Sequence, residues 1–212
     1  AMDFSTDGVV LVEEFIQGTE ISVEAMMCHG VFHPIALSDK KRTEPPYLLD
    51  LTVLFPSEES EEVQKEAVGI VERATRVLKI DNCPIHAELI ISPDGLRLVE
   101  LAARGPGFKV FTEMIPWSSG ADVLSESLRM VMGESTHFTD STHRGAVLHF
   151  PHCPPATVKK ISGLDAARGV PGIHDLEIYV SVGDSILPLT SGADRIGHII
   201  AMAETRQLAE VA

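Results

Sequence analysis

The sequence predicts an α+β protein, in which an antiparallel sheet with flanking helices is followed by a small α+β domain. Two pairs of short apolar segments are separated by turn-forming residues, which indicates hairpins. One longer segment repeats apolar residues at helical spacing. A polar stretch over residues 134–142 indicates a linker. We therefore divide the chain into domains at residues 1–134 and 143–212.

The first predicted elements are three strands and a loop. Residues 9–16 and 21–27 are β-branched on either side of Gln17-Gly18-Thr19, which predicts a hairpin. Residues 31–38 are predicted to add a third strand. The paired prolines within residues 43–47 predict a loop, because proline lacks an amide donor and restricts the residue before it.

Two helices and a second hairpin complete the first domain. A serine and several acidic residues begin a helix over residues 57–79, where apolar residues recur at helical spacing. Residues 85–91 and 96–101 flank Ser92-Pro93-Asp94-Gly95, a turn signal that predicts the hairpin. The second helix is predicted over residues 121–132 and ends at a glycine.

The last part of the chain is predicted to contain short strands and two helices. The strands are predicted at residues 146–150, 157–161, 173–182 and 196–202, and the helices at residues 164–168 and 204–212. The last helix reaches the end of the chain without a stop signal, and the first apolar stretch begins within ten residues of the start. We expect from this that both ends are cut.

The composition excludes several classes of partner. The 212 residues include 31 acidic and 17 basic side chains, for a formal charge of −14. Nucleic acids and anionic membranes repel such a surface. No apolar run approaches the roughly 18 residues of a membrane-spanning helix, and the N-terminus lacks the order of a secretory signal. Three separated cysteines fit a reducing compartment. We therefore predict a cytoplasmic protein that binds neither nucleic acid nor membrane.

The second hairpin carries a pair of glutamates that could bind a metal. Glu88 and Glu100 lie on opposite arms and are predicted to face each other. Carboxylates on adjacent strands repel each other unless a cation lies between them, and hard oxygen ligands suit Mg²⁺ or Mn²⁺. The alternative, which the pair alone leaves open, is two solvated glutamates on an exposed face.

A glycine-bearing loop after this hairpin is predicted to bind an anion. Arg104 offers a planar donor fork, and Gly105 and Gly107 let backbone amides approach an anion closely. His86 lies two residues before the first glutamate. A metal pair beside an anion clamp favours phosphoryl chemistry.

Three segments together resemble the ATP-grasp superfamily, in particular its carboxylate–amine ligases. VEEFIQGTEISV resembles the hinge strand that binds adenine and ribose, and HAELIISPDGLRLVELAARGPG resembles the metal-binding hairpin. IALSDKKRTEPPYLLDLTVLFPS is similar to the substrate-side segment of amino-acid ligases in this superfamily. The resemblance covers residues 9–132 well and implies the C-terminal portion of an ATP-grasp domain.

The resemblance assigns roles to individual residues. On the nucleotide side, it implies that adenine contacts Glu13, the backbone of Glu14 and Ile16, and the side chain of Ile90, while Glu20 binds the ribose hydroxyls. It makes Glu88 and Glu100 the magnesium ligands and Arg104 the residue facing the transferred phosphoryl group and the acyl intermediate. Lys40 is implied to meet a phosphate or a substrate carboxylate, with a solvated lysine as the alternative.

The implied function is that of an ATP-dependent ligase, using ATP and Mg²⁺ or Mn²⁺ to join a small carboxylate to an amine. Two alternatives stay open: a non-catalytic nucleotide-binding or dimerisation module, and a bicarbonate-using carboxylase or carbamoyl-phosphate-type enzyme. A homodimer is also left open.

The sequence departs from the family pattern in two places. Many members have an asparagine two residues after the second metal glutamate, where this chain has Ala102. The family's earlier portion, with the lysines that grip the α- and β-phosphates, has no counterpart here. We therefore expect a fragment that is incomplete and inactive by itself.

Overall fold

The computed structural model describes residues 5–138 and 142–212. The strands in these ranges are β1 (Thr19–Cys28), β2 (Val31–Arg42), β3 (Asp50–Phe55), β4 (Cys83–Ser92), β5 (Gly95–Ala102), β6 (Gly145–His149), β7 (Ala156–Thr157), β8 (Ile173–Ile178), β9 (Ser185–Ile186) and β10 (Gly197–Ala203). The α-helices are α1 (Glu61–Val77), α2 (Ile115–Ser119), α3 (Val123–Val131), α4 (Leu164–Arg168) and α5 (Arg206–Glu210). A π-helical turn, Val110–Met114, leads into α2, and a 3₁₀ turn, Gly192–Asp194, precedes β10.

Eight of the strands form one antiparallel sheet in the order β5-β4-β1-β2-β3-β6-β10-β8. This large antiparallel sheet with few helices confirms the predicted fold class. The two parts of the chain meet where β3 pairs with β6, from Thr52 opposite His149 to Phe55 opposite Ala146. Both predicted domains thus contribute strands to the same sheet, and their boundary stays a prediction.

The first hairpin differs from the prediction. Residues 9–16 form no strand, and β1 instead pairs with β2 through a turn at His29 and Gly30. Both turn residues have positive φ, 48° and 77°, as a two-residue hairpin turn requires. Gly18 does not make a hairpin turn. A Cβ there would lie 2.1 Å from the carbonyl oxygen of Ile91, so its glycine permits close approach to β4.

The other predicted elements of the first domain form close to where the sequence places them, whereas β3 and α2 were not predicted. The second hairpin is confirmed as β4 and β5, and α3 is followed by Gly133 with a φ of 72°. Helix α1 begins later than predicted because Ser60, not Ser57, is its cap and accepts a hydrogen bond from the Val63 amide at 3.3 Å. The Ser57 hydroxyl donates instead to Asp39 on β2.

In the tail, residues 143–212, five of the six predicted elements form and one does not. Strands β6, β8 and β10 and helix α4 lie where the sequence predicts them. The predicted strand at residues 157–161 is wrong: only β7, two residues long, forms, and it pairs with the equally short β9 outside the main sheet. The last predicted helix is confirmed as the shorter α5.

Strand β1 divides the core into two layers because its side chains alternate between the faces of the sheet. Ile21, Val23 and Ala25 pack with α1 on one face. On the other face, Met26 and Cys28 pack against the π-helical turn and α2, whereas the first half of the strand carries polar residues. None of the helices in the described ranges is both long and apolar enough to cross a membrane.

Candidate functional site

A polar surface covers one face of strands β4, β1 and β2. Alternation along β1 places Glu20, Ser22 and Glu24 on the same face, and all three are buried. The strand register then sets Glu88 and Ser38 on either side of Ser22. We call this set, with His86 and Lys40 of the flanking strands, the sheet wall.

Lys40 is the centre of the charges on the sheet wall. Its ammonium nitrogen lies 2.7 Å from a Glu20 oxygen and 3.2 Å from an Asp50 oxygen, and it also contacts Glu88. Arg42 binds the second oxygen of Glu20. The Lys40 side chain is only 4% exposed, so one buried cation holds three carboxylates together.

The pKa shifts follow from this arrangement. Burial alone would lower the pKa of Lys40, but Asp50, Glu20 and Glu88 raise it above its ordinary value. Burial raises the pKa of Glu20 even though Lys40 opposes the shift. At neutral pH, Lys40 is therefore a firmly charged ammonium.

The same carboxylates form a set that fits a hard cation. Single oxygens of Glu20, Asp50 and Glu88 all lie within 4.8 Å of one another. Carboxylate oxygens are what Mg²⁺ and Mn²⁺ prefer, and the Lys40 ammonium already shows that the position suits a cation. The donor set thus fits Mg²⁺, with Lys40 as the group that a metal would have to displace.

The predicted metal pair is only partly brought together. Glu88 and Glu100 are direct cross-strand partners in β4 and β5, as the hairpin predicts. However, the Glu100 side chain is 53% exposed and does not belong to the three-carboxylate set. It faces Arg104 at 3.8 Å.

His86 links two buried carboxylates. Its Nδ1 lies 2.8 Å from a Glu24 oxygen, and its Nε2 lies 3.4 Å from a Glu88 oxygen. Burial would lower the pKa of His86, but the hydrogen bonds to both glutamates outweigh it and raise the pKa to about 9. The hydrogen bond from His86 in turn lowers the pKa of Glu88 to about 2. Burial raises the pKa of Glu24.

A cavity of about 210 Å³ separates the sheet wall from the glycine-bearing loop. Three polar atoms of its floor are buried and have no hydrogen-bond partner among the described residues: the hydroxyls of Ser22 and Ser38 and one oxygen of Glu24. Buried polar groups normally have a partner. The floor therefore offers unused donors and acceptors to a ligand.

The opposite side of the cavity is formed by the loop at residues 104–109 together with residues of the tail. We call this whole side the loop wall. Arg104, Gly107 and Phe108 line the cavity from the loop. Gly105 cannot carry a side chain, because a Cβ there would lie 2.5 Å from the ring of Phe111. Gly107 has open space around it.

Contacts with the tail fix the end of this loop. Phe108 and Lys109 have positive φ, 51° and 57°, which is unfavourable for residues with a Cβ. The Phe108 ring packs edge-on against His198 at 4.9 Å between centroids, and Lys109 forms an ion pair with Asp175. His198 in turn lies 2.7 Å from the same Asp175 oxygen.

The adenine-side residues line a second cavity, of about 220 Å³. Glu13, Glu14, Ile16, Glu20 and Ile90 all contribute to its lining. The structure thus brings together the five residues to which the resemblance assigns adenine and ribose, although residues 9–16 are not a strand. Glu20 belongs to this lining and also contacts Lys40, so it joins the second cavity to the sheet wall.

Sequence reasoning missed several residues of the site. The alternation of Glu20, Ser22 and Glu24 in an otherwise apolar strand was a visible signal of a polar floor. Asp50 and Arg195 gave no local signal, because only the pairing of distant strands brings them to the cavity.

Comparison with known proteins shows the family. Residues 2–113 match the family described as ATP-grasp domain, which is more than half of the chain. The chain belongs to the ATP-grasp family. Residues 149–212 match the family described as L-amino acid ligase C-terminal domain 2. The two matches lie on either side of the predicted linker.

Three proteins illustrate the relationship. An uncharacterised protein of Sinorhizobium fredii is 26% identical over 202 residues, which is 95% of this chain and 41% of the relative. Alanine–anticapsin ligase of Bacillus subtilis is 32% identical over 113 residues, 47% of this chain and 24% of that enzyme. The crystal structure of L-amino acid ligase from Bacillus licheniformis has the same fold, with a TM-score of 0.82 at 23% identity over 93% of this chain and 49% of that chain.

This chain spans less than half the length of each of these three proteins. Two of them are ligases by name, and ATP-grasp enzymes generally use ATP and Mg²⁺. The predicted membership of this family is thereby confirmed.

Proposed function

We propose that this chain is part of an ATP-dependent ligase that activates a carboxylate as an acyl phosphate and transfers the acyl group to an amine. The observation that carries the proposal is the position of Glu20. Glu20 lines the second cavity, to which the resemblance assigns adenine and ribose. It also contacts Lys40, which lines the first cavity together with Arg104. A nucleotide lying along this path would bring its phosphates to the carboxylates and the glycine-bearing loop.

In this proposal, the second cavity holds the nucleoside. Glu13 and the backbone of Glu14 and Ile16 contact adenine from one side, and Ile90 supplies an apolar surface. Glu20 accepts hydrogen bonds from the ribose hydroxyls. The apolar lining with a few placed polar groups is typical of a small-molecule site.

Glu88 and Glu100 are the proposed magnesium ligands, with Asp50 close to the first of them. Magnesium bound there supplies charge neutralisation on the phosphates. Lys40 holds the carboxylates together in the absence of a ligand and turns toward a phosphate or a substrate carboxylate when one is bound. Its firm positive charge suits either partner.

The proposed reaction has two steps. A carboxylate oxygen of the first substrate forms a bond to the γ-phosphorus of ATP, and the bond between that phosphorus and ADP breaks. The amine then bonds to the acyl carbon, the bond to phosphate breaks, and the amine loses a proton. Arg104 and the amides of Gly105 and Gly107 stabilise the negative charge on the acyl phosphate and on the oxyanion of the second step. The protein acts by positioning, and no covalent protein intermediate is needed.

Ala102 favours a second candidate, a nucleotide-binding module without turnover. It lies at the end of β5, opposite His86, and offers no oxygen to a metal. A module of this kind would bind nucleotide but release no ADP when carboxylate and amine are supplied.

The experiment that separates the two candidates is an ADP-release assay on a form of the protein that includes the segment preceding these residues in its relatives. Glu88→Gln and Glu100→Gln are each expected to lower turnover by at least about 100-fold, because a metal ligand is lost. Glu72→Gln, on the exposed side of α1 beside Arg76, is the matched control and is expected to leave turnover unchanged. Near-normal turnover in Glu100→Gln would contradict the metal assignment, and no ADP release in the unaltered protein would favour the module.

We also propose that the 212-residue chain by itself binds MgATP weakly, because the family's phosphate-gripping lysines have no counterpart in it. Calorimetry of this chain with MgATP checks this, and tight binding would contradict it.

A further inference from the structure

Arg195 is a half-buried cation that reaches from the tail into the cavity below the loop. It lies two residues before β10 and lines the same cavity as Arg104 and Lys40. Its guanidinium carbon lies 3.6 Å from the ring centroid of Phe150, and Nη2 donates to the backbone oxygen of Asp50 at 3.0 Å. Its Nε is buried and has no hydrogen-bond partner among the described residues.

No carboxylate neutralises this guanidinium. Within residues 5–138 and 142–212, no carboxylate oxygen lies within 4.0 Å of its nitrogens, in contrast to Lys40 and Arg206, which each contact several. Burial lowers the pKa of Arg195 even though the charge of Asp50 opposes the shift. Removing part of a cation's hydration is costly unless an anion replaces the lost water.

The charges of the residues around the cavity indicate whether the protein itself can supply an anion for Arg195. The carboxylates of Glu20, Asp50 and Glu88 are engaged by Lys40. Glu24 is engaged by His86. The two guanidinium groups of the loop wall, Arg104 and Arg195, are left to face the cavity, and Arg104 already belongs to the glycine-bearing loop proposed for the phosphoryl group.

We propose that Arg195 binds a carboxylate carried by the amine substrate, and so makes the enzyme prefer amino acids over amines without a carboxylate. This inference rests on the proposed ligase function. A guanidinium presents parallel N–H donors that match the two oxygens of a carboxylate, and stacking on Phe150 holds its plane. Nε, the unused donor, is one member of that fork.

The test compares Arg195→Met and Arg195→Lys with a matched control in the same tail. Arg144 also stacks on an aromatic ring, at 4.1 Å from the centre of Trp117, and also has a buried Nε without a partner among the described residues, but it does not line the cavity. Arg144→Met therefore removes a similar half-buried, stacked cation without touching the proposed site. Thermal melting of all three variants checks that each is folded.

The assay measures ADP release by the longest active form of the protein that contains these residues. Each of the twenty common L-amino acids is supplied as amine substrate, and each active one is then compared with its carboxamide. The unaltered enzyme is expected to prefer the acid. Arg195→Met is expected to raise KM for the acid by about 10- to 100-fold, the loss expected for a charge-assisted hydrogen-bonded pair, while KM for the carboxamide stays the same. Arg195→Lys is expected to restore part of the preference, and Arg144→Met to retain all of it.

Other results overturn the inference in distinguishable ways. A raised KM for ATP, with KM for the amino acid unchanged, would mean that Arg195 binds a phosphate. Equal loss of activity with acid and carboxamide, or the same loss in Arg144→Met, would mean that its role is structural. If no amine substrate stimulates ADP release by the unaltered protein, the proposed function itself fails, and this inference fails with it.

Discussion

The sheet wall and the loop wall of the cavity neutralise their charges in different ways. On the sheet wall, Lys40 and His86 are surrounded by carboxylates from neighbouring strands. On the loop wall, Arg195 has no carboxylate within ion-pair distance among the described residues, and Arg104 approaches one only at 3.8 Å on an exposed surface. The cations of the sheet wall thus have counter-ions on neighbouring strands. On the loop wall, Lys109 is paired with Asp175, but Arg195 has no carboxylate partner among the described residues.

The two walls also differ in what holds them in place. The side chains of the sheet wall are positioned by strand register, because residues two apart on β1 share a face with their cross-strand partners. The loop wall has no such regularity. Phe108 and Lys109 adopt left-handed backbone conformations and are held by Asp175 and His198, which lie more than sixty residues later in the chain.

The largest effect is expected from removing the cation at the centre of the sheet wall. Lys40→Met leaves Glu20, Asp50 and Glu88 close together without their counter-ion, and should lower the free energy of unfolding by about 3 kcal/mol. Urea denaturation measures this. Because the carboxylates are freed, added Mg²⁺ should raise the melting temperature of the variant more than that of the unaltered chain.

The neighbouring lysine provides the control for this prediction. Lys41 is 64% exposed and lies 3.9 Å from Glu210 at the surface. Lys41→Met should change the free energy of unfolding by less than about 0.5 kcal/mol. If Lys40→Met were as mild as Lys41→Met, Lys40 would not be the group that holds the sheet wall together.

A smaller effect, with a pH dependence, is expected at the anchor of the loop wall. Burial would raise the pKa of Asp175, but hydrogen bonds from Lys109 and His198 lower it to about 2. A lowered pKa in the folded state stabilises the fold above the unfolded-state pKa of about 4, and this contribution disappears as the pH falls toward 2.

Asp175→Asn should therefore lower the free energy of unfolding by about 1 kcal/mol near neutral pH, a figure that allows for partial exposure of the carboxylate. Denaturation curves between about pH 2 and about pH 7 should show the difference from the unaltered chain shrinking below about pH 4. Glu177→Gln, exposed on the same strand, is the control. A difference that does not depend on pH would contradict the ion-pair explanation.

The smallest effect is expected at the turn that sets the register of the sheet wall. His29 has a φ of 48° and precedes Gly30, and asparagine adopts this conformation more readily than histidine. His29→Asn should raise the free energy of unfolding by about 0.5 kcal/mol, as measured by urea denaturation. A loss of stability would mean that the histidine ring makes a contribution that the backbone argument omits.

Local sequence signals predict one hairpin of the sheet correctly and another wrongly. The turn chemistry of Ser92-Pro93-Asp94-Gly95 correctly predicts the β4–β5 hairpin and thereby the opposition of Glu88 and Glu100. The same kind of argument fails at Gln17-Gly18-Thr19, because Gly18 serves a close approach to Ile91 that depends on β4. A glycine in the sequence does not reveal whether it is needed for a turn or for space.

The role of Lys40 illustrates a second limit. The sequence presents it as a candidate for a phosphate or a substrate carboxylate, while the structure shows it bound to three carboxylates of the protein. Asp50 joins this cluster only because β3 pairs with β2, and Arg195 reaches the cavity only because the tail joins the same sheet. Contacts of this range follow from strand order, which local patterns do not contain.

The pairing of β3 with β6 also has a mechanical consequence. Backbone hydrogen bonds run across the sheet from β5 to β8. Four residue pairs join β3, which lies in the first matched segment, to β6, and β6 pairs in turn with β10, which lies in the second matched segment. A hinge between these segments would have to break that ladder. Arg195 and the carboxylates of the sheet wall therefore lie on, or next to, strands of one continuous sheet. Any closing movement over a bound molecule has to come from the loop at residues 104–109 or from other parts of the protein.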